Sequence, residues 1–182
     1  MRYFFRRHIP PFDRVLLVES GSRYLFDELF PDIYEIHGPD IQVDLVTCYA
    51  GLPKGFLESR GQVFRVTDYQ GRQGRKRLYQ LLAGRRHTVM GMICSGEPIM
   101  TKWKWVLAAR TPAKVYVLNE NGDYFWLDRS NWSTIRHFIL FRAGLSGAGA
   151  VRTIARLALF PFTLLYLLLY AAAVHLRRKV TS

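Results

Sequence analysis

The stretch "RVLLVESGSRYLFDELF" (Arg14–Phe30) indicates the fold class. Its first part is a short apolar run, which is typical of a strand buried on both faces. Gly21 and Ser22 form a turn, and the apolar residues after them recur at helical spacing. A buried strand that leads through a tight turn into a helix is the opening unit of an α/β fold.

The same alternation continues along the chain and predicts a single Rossmann-like α/β domain with a mostly parallel sheet. Asn121-Gly122 predicts a hairpin, Pro98 the start of a helix, and Ser130 or Asn131 a helix cap. The predicted strands are 14–20, 41–51, 62–69, 89–93 and two short strands within 113–129, and the predicted helices are 21–33, 71–86, 98–111 and 130–145. The expected organisation is a basic aromatic segment (1–13), the α/β domain (14–145), a flexible joint (146–150), and a membrane helix with a basic tail (151–182).

The charge balance points to an anionic partner. The 182 residues include 26 Lys and Arg against 14 Asp and Glu, which gives a formal net charge of +12. Trp103 and Trp105 alternate with Lys102 and Lys104, a pattern that suits either stacked bases or the interface of a bilayer. We favour an anionic membrane leaflet over nucleic acid, because an apolar segment follows later in the chain.

That apolar segment runs from Leu157 to Val174, which is 18 residues without a charge. A membrane-spanning helix needs roughly 20 apolar residues, and about 17 suffice. Pro161 leaves a kinked or re-entrant helix open as an alternative. Basic residues flank both sides, so loop charge does not set the orientation. The first residues do not resemble an export signal, and we therefore expect the α/β domain to face the cytoplasm.

The turns, cysteines and histidines of the sequence match no familiar cofactor, metal or nucleophile motif. The turn "ESGSR" (19–23) matches neither the dinucleotide fingerprint nor the P-loop, and it predicts no cofactor. Cys48 and Cys94 have neither metal-ligand spacing nor a nearby histidine, so we predict no metal site and regard both as reduced, mostly buried thiols. The five histidines do not suggest a catalytic triad.

A candidate site lies at the carboxyl ends of the strands, where open α/β sheets bind ligands. Glu97 is the candidate general base or ligand carboxylate, and Asp68 is the second candidate catalytic residue. The alternative is structural, because small polar residues end strands for reasons of turn geometry alone. The candidate ligand-binding residues are Glu19, Ser20, Gly21, Cys94, Ser95, Gly96, Asn119 and Glu120.

The segment "RVLLVESGSRYLFDELFPDIYEIHGPDIQVDLVT" (Arg14–Thr47) resembles the opening strand–helix–strand of the heptosyltransferase-like glycosyltransferases. The resemblance covers about the first fifty residues. Ser22-Arg23 departs from that family's Gly-Asp, and the family places sugar-nucleotide binding largely in a second Rossmann-like unit. The resemblance therefore implies an acceptor-type domain, an accessory subunit, or a protein reused for binding.

These patterns together lead us to expect a membrane-anchored glycosyltransferase-like or accessory protein of cell-envelope glycan or glycolipid assembly. Its expected partners are anionic lipid and a larger membrane complex or a partner glycosyltransferase. Whether it is an enzyme stays open at this stage. The alternatives are a non-catalytic subunit of a membrane complex and, less favoured, a nucleic-acid-binding protein.

Overall fold

The computed structural model describes residues 3–119, 123–145 and 150–180. Within these residues the chain is α/β, as the alternating pattern predicted. The strands are β1 (Arg14–Val18), β2 (Gln42–Thr47), β3 (Val63–Arg65), β4 (Val89–Ile93), β5 (Lys114–Leu118) and β6 (Tyr124–Trp126). The helices are α1 (Tyr24–His37), α2 (Gly71–Gly84), α3 (Thr101–Arg110), α4 (Trp132–Arg142) and α5 (Ala150–Val180).

The six strands form one sheet in the order β3-β2-β1-β4-β5-β6. The pairs from β3 to β5 are parallel, and only β6 runs antiparallel, beside β5. Val15 of β1 lies beside both Val43 of β2 and Val89 of β4. The predicted mostly parallel sheet is therefore confirmed.

Both faces of this sheet are buried. Phe26, Phe30 and Ile33 of α1 belong to the core cluster on one face. Leu16 and Met90 point to the other face, because side chains alternate along a strand, and both are fully buried. Helix α1 connects β1 to β2, which lies on one side of β1 in the sheet. Helices α2 and α3 lead to β4 and β5, which lie in the opposite direction. Right-handed crossovers therefore place α1 on one face and α2 and α3 on the other.

Element boundaries differ from the sequence prediction at two prolines. Helix α1 continues through Pro31 to His37, although the prediction ended it at residue 33. Pro98 was expected to start α3, and this expectation was wrong. Met100 adopts a left-handed conformation, with φ of 49°, and the helix begins after it at Thr101. The left-handed residue turns the chain, so the helix cannot extend back to the proline.

The helix cap before α4 also differs from the prediction. A single turn of 3₁₀ helix covers Arg129–Asn131, and the Asp128 side chain caps it by accepting from the backbone N–H groups of Ser130 (3.0 Å) and Asn131 (3.3 Å). Asp128 is thus the capping residue, since its carboxylate reaches donors two and three positions ahead. The Asn121-Gly122 turn lies outside the described residues.

Gly91 in the middle of β4 makes room for a neighbouring ring. A Cβ at this position would lie 2.4 Å from both the Cζ and the hydroxyl oxygen of Tyr116, its partner on β5. Tyr116 is almost fully buried, and burial raises the pKa of its hydroxyl. The glycine is required here for space, because its backbone conformation is ordinary.

The chain divides into two compact units, Met1–Trp132 and Ser133–Ser182. The second unit contains nearly all of α4, which the sequence prediction placed in the α/β domain, together with α5. Helix α5 extends over 31 residues. The predicted flexible joint is outside the described residues except for residue 150, which begins α5.

A polar network lies inside the first unit on β2. The fully buried Asp44 carboxylate accepts hydrogen bonds from Arg85 Nη1 (2.7 and 2.8 Å) and from the Gln62 backbone N–H (2.8 Å). It also lies 2.8 Å from His87 Nε2. Burial alone raises the Asp44 pKa, but the hydrogen bonds from His87, Arg85 and Gln62 outweigh burial and hold the pKa below its usual value.

We predict that Asp44→Asn lowers the free energy of unfolding by about 3 kcal/mol at neutral pH, because it leaves Arg85 and His87 without their buried carboxylate. The lowered pKa means that this stabilisation is present above the ordinary carboxyl pKa and is lost as the pH falls through the folded-state value. Urea unfolding of the full chain in detergent micelles, followed at several pH values, measures the difference.

The exposed Asp40→Asn is the matched control, with an expected change of less than about 0.5 kcal/mol. A wild-type minus Asp44→Asn difference that stays constant between pH 7 and pH 3 would contradict the assigned role of this carboxylate.

Candidate functional site at the carboxyl edge of the sheet

The carboxyl ends of β1 and β4 lie side by side, and the loops that follow them form the candidate site, here called the crevice. From β1 the chain continues toward β2, and from β4 it continues toward β5, on the opposite side. The chain therefore leaves the two strands in opposite directions along the sheet, and open α/β sheets bind ligands at such a switch point. The loop after β1 carries residues 19–23, and the loop after β4 carries residues 94–100. Most of the candidate residues predicted from sequence lie on these two loops.

Glu19 is a buried charge at this edge. Its carboxylate accepts hydrogen bonds from Thr47 Oγ1 (2.5 Å) and from Arg23 Nε (2.8 Å), and its side chain has no exposed surface. Thr47 in turn accepts from the Tyr49 backbone N–H at 2.9 Å. Because a buried charge is stable only when it is paired, Glu19 serves to join the ends of β1 and β2.

Arg23, the residue directly before α1, also contacts the segment that follows β2. Its Nη2 donates to the Gly51 carbonyl at 2.9 Å, and its guanidinium lies 4.7 Å from the centroid of the Tyr49 ring. The hydrogen bond to Glu19 raises the pKa of Arg23 above its usual value, against the opposing effect of burial. The sequence-based list of site residues omitted both Arg23 and Thr47. The four-residue separation of Glu19 and Arg23 was a visible signal, whereas Thr47 is distant in sequence.

The loops after β1 and β4 are closely packed. Ser20 Oγ donates to the Ile93 carbonyl at 2.7 Å. A Cβ on Gly21 would lie 2.4 Å from Ile93 Cγ2 and 3.2 Å from Ser95 Oγ. Ser20 and Gly21 therefore hold the crevice together, since any side chain at 21 would push the two loops apart.

Glu97 lies on the solvent side of the same crevice. Its Oε2 accepts from Ser22 Oγ at 2.8 Å, in an exposed position, and its backbone N–H is 3.4 Å from Ser95 Oγ. Gly96 beside it is exposed as well. Of the two carboxylates in the crevice, Glu97 is the accessible one and can accept a hydrogen bond from a ligand.

Asp68 does not join this group. It is exposed in a short turn, Val66–Asp68, that follows the edge strand β3. Three strand spacings separate β3 from β4, which is about 14 Å at the usual spacing between strands. The structure therefore places the two candidate catalytic carboxylates at separate points of the edge.

The two cysteines and the residues after β5 are the other positions considered from the sequence. Cys94 is buried, and its backbone N–H donates to the Leu118 carbonyl at 2.8 Å. Asn119 and Asp123 are joined by hydrogen bonds of 2.9, 2.9 and 3.1 Å, which link the end of β5 to the residue before β6. Glu120 lies outside the described residues. Burial raises the pKa of the Cys48 thiol, which disfavours the thiolate.

Lys104 was expected on a basic aromatic surface, and this expectation was wrong. The residue is buried in α3, and its Nζ donates to the Ile93 carbonyl at 3.0 Å, at the end of β4. Leu107 and Ala108 are buried at the next helical positions, so the spacing i, i+3, i+4 was the available signal. Lys102 and Trp105 do lie exposed, as expected.

Comparisons with protein-family models, curated proteins and solved structures found no match to this chain. Among the described residues, no group of three or more His, Cys, Asp or Glu side chains is arranged to hold a metal ion.

We predict that replacing the two glutamates of the crevice changes the free energy of unfolding by very different amounts. We expect Glu19→Gln to lower the free energy of unfolding by about 3 kcal/mol, because Arg23 loses a buried partner. The matched variant Glu97→Gln should change it by less than about 0.5 kcal/mol, because this carboxylate is exposed. Urea unfolding of the two full-chain variants in detergent micelles measures both changes, and equal losses would show that Glu97 is also structural.

Proposed function

We propose that this protein is a membrane-anchored α/β protein that acts at the cytoplasmic surface of a bilayer in cell-envelope glycan or glycolipid assembly. The observation that carries the anchoring is α5. The part of α5 from Ala150 to His175 is strongly apolar, with a mean hydropathy of 2.1. The residues that give this value are not buried against the rest of the protein. Among the described residues α5 is the one helix long and apolar enough to cross a membrane.

The dimensions of α5 fit a bilayer. Its uncharged part, Leu157–Val174, spans about 27 Å at the rise of an α-helix. The hydrocarbon core of a bilayer is about 30 Å thick, and Arg156 can extend its charged end beyond the apolar part. Leu168 and Leu169 in the middle are more than 60% exposed in the protein alone. Lipid would remove such side chains from water, and each would contribute about 1.5–3 kcal/mol.

The surface of α2 supports a position beside an anionic leaflet. Arg72, Arg75, Lys76 and Arg77 are all exposed, and α2 contains no acidic residue. None of these four forms an ion pair with any described residue. A basic residue near anionic lipid contributes about 1 kcal/mol. The cytoplasmic leaflet is the anionic one, which supports the cytoplasmic orientation.

A role in glycan assembly is supported by the resemblance of residues 14–47 to heptosyltransferase-like enzymes and by the polar crevice between β1 and β4. Within this proposal the geometry favours a binding or accessory role over catalysis. Glu19 already has Arg23 and Thr47 as partners, and Asp68 is remote from Glu97. The same observations favour the second candidate, a non-catalytic subunit of a larger membrane complex.

We expect the full chain to remain in the membrane fraction after extraction at alkaline pH. The double variant Leu165→Arg/Leu168→Arg should leave that fraction, because a charge in the middle of a spanning helix costs about 3 kcal/mol. The matched control is Ile139→Arg in α4, which adds a charge outside the apolar stretch. Release of the unmodified chain by alkaline extraction would refute the anchoring.

Complementation of a gene deletion in the source organism tests the role in glycan assembly. An accessory role predicts that Glu97→Gln and Asp68→Asn restore the envelope glycan, whereas Leu165→Arg/Leu168→Arg does not. Loss of the glycan with a stable, membrane-bound Glu97→Gln protein would contradict the accessory role and show that ligand binding or catalysis depends on this carboxylate. A normal glycan in the deletion strain itself would refute the proposed role and leave the anchoring unaffected.

A further inference from the structure

A depression of about 410 Å³ lies on the first unit, away from the crevice between β1 and β4. Two separate stretches of chain line it, the basic aromatic segment near the N-terminus and the turn before α4. The lining residues are Phe4, Phe5, Arg6, Arg7, Arg129 and Ser130. Three of the six are arginines, and none is acidic.

A buried ion pair holds both walls of this depression. Lys114 Nζ donates to the carbonyls of Arg6 (2.8 Å), Arg7 (3.4 Å) and His8 (3.3 Å), and it lies 2.8 Å from Asp128 Oδ2. Both Lys114 and Asp128 are less than 5% exposed. Because this single ammonium group binds three consecutive carbonyls, the backbone that carries the first two arginines has a fixed path.

The opposite wall is fixed by the same pair. Asp128 accepts from the backbone N–H and the Oγ of Ser130, and the Arg129 backbone N–H donates to the Phe4 carbonyl at 2.9 Å. Burial alone raises the Asp128 pKa, but its hydrogen bonds to Lys114 and Ser130 outweigh burial and lower it. The Asp128 carboxylate is therefore already paired with Lys114 and with the backbone N–H groups of Ser130 and Asn131.

The three arginines that line the depression are not paired with a carboxylate of the described residues. Arg6, Arg7 and Arg129 are exposed, and none of them forms an ion pair with any described residue. Three like charges around one depression repel each other, and a bound anion would relieve this repulsion. Guanidinium groups match the oxygens of a phosphate in geometry and can bind it through paired hydrogen bonds.

We propose that this depression binds a phosphate group, carried by a lipid headgroup or by a small soluble molecule. Phe5 is 79% exposed beside the arginines and would contact the apolar part of a lipid ligand. The inference is independent of the anchoring by α5, because every residue of the depression belongs to the first unit.

The test measures binding to the full chain in non-ionic detergent micelles, in a phosphate-free buffer, by calorimetry or ³¹P NMR. The probes are inorganic phosphate, a short-chain phosphatidic acid, and a short-chain phosphatidylcholine as the zwitterionic control. The test variant is Arg6→Gln/Arg7→Gln/Arg129→Gln. The matched control, Lys54→Gln/Arg86→Gln/Arg110→Gln, removes the same charge from exposed positions elsewhere on the first unit. All six residues are exposed, and melting curves of both variants confirm that they are folded.

We expect the depression variant to weaken binding of the phosphate-bearing probes at least tenfold and the control variant to weaken it less than twofold. Equal losses in the two variants would show a general charge effect and overturn the proposal, as would a lack of binding at millimolar probe. Phe5→Ala distinguishes the two sources. If it weakens phosphatidic acid but not inorganic phosphate, the ligand is a lipid, and if it weakens neither, the ligand is a soluble phosphate.

Discussion

The pairing of β1 with β4 is the constraint on which the rest of the first unit depends. Both strands are buried on both faces, and they lie side by side although β2 and β3 come between them in the chain. This order places α1 on one face and α2 and α3 on the other. It also places the two loops with residues 19–23 and 94–100 together at one edge. The crevice is therefore a consequence of strand order.

Buried charges then connect this sheet to the segments around it. Glu19 joins the ends of β1 and β2 through Thr47, Asp44 joins β2 to the residues after α2, and Lys114 joins β5 to the N-terminal segment. Each charge is paired within hydrogen-bonding distance, which the low polarity of the interior requires. The three connections lie at different positions around the sheet, so each of them fixes a different segment of the chain to it.

The sequence was sufficient for the fold class, because runs such as residues 15–18 and 89–93 contain no charged or polar side chain and have no helical period. It also indicated that the residues after the parallel strands share one edge of the sheet, although which loops are neighbours there depends on the strand order. It could not identify the pairing of Glu19 with Thr47 or of Asp44 with His87, because these contacts depend on strand order and register. Lys104 could have been placed in the interior from its spacing to Leu107 and Ala108, whereas its alternation with tryptophans suggested a surface.

Gly91 and Tyr116 lie opposite each other on β4 and β5, and the space available to each side chain depends on the other. The tyrosine ring occupies the volume that a side chain on Gly91 would need. A larger residue at 91 is therefore compatible with this sheet only if position 116 becomes small in the same protein. Among related chains the two positions should change together, and this coupled pair is a marker by which distant relatives could be recognised even where the charged surface has diverged.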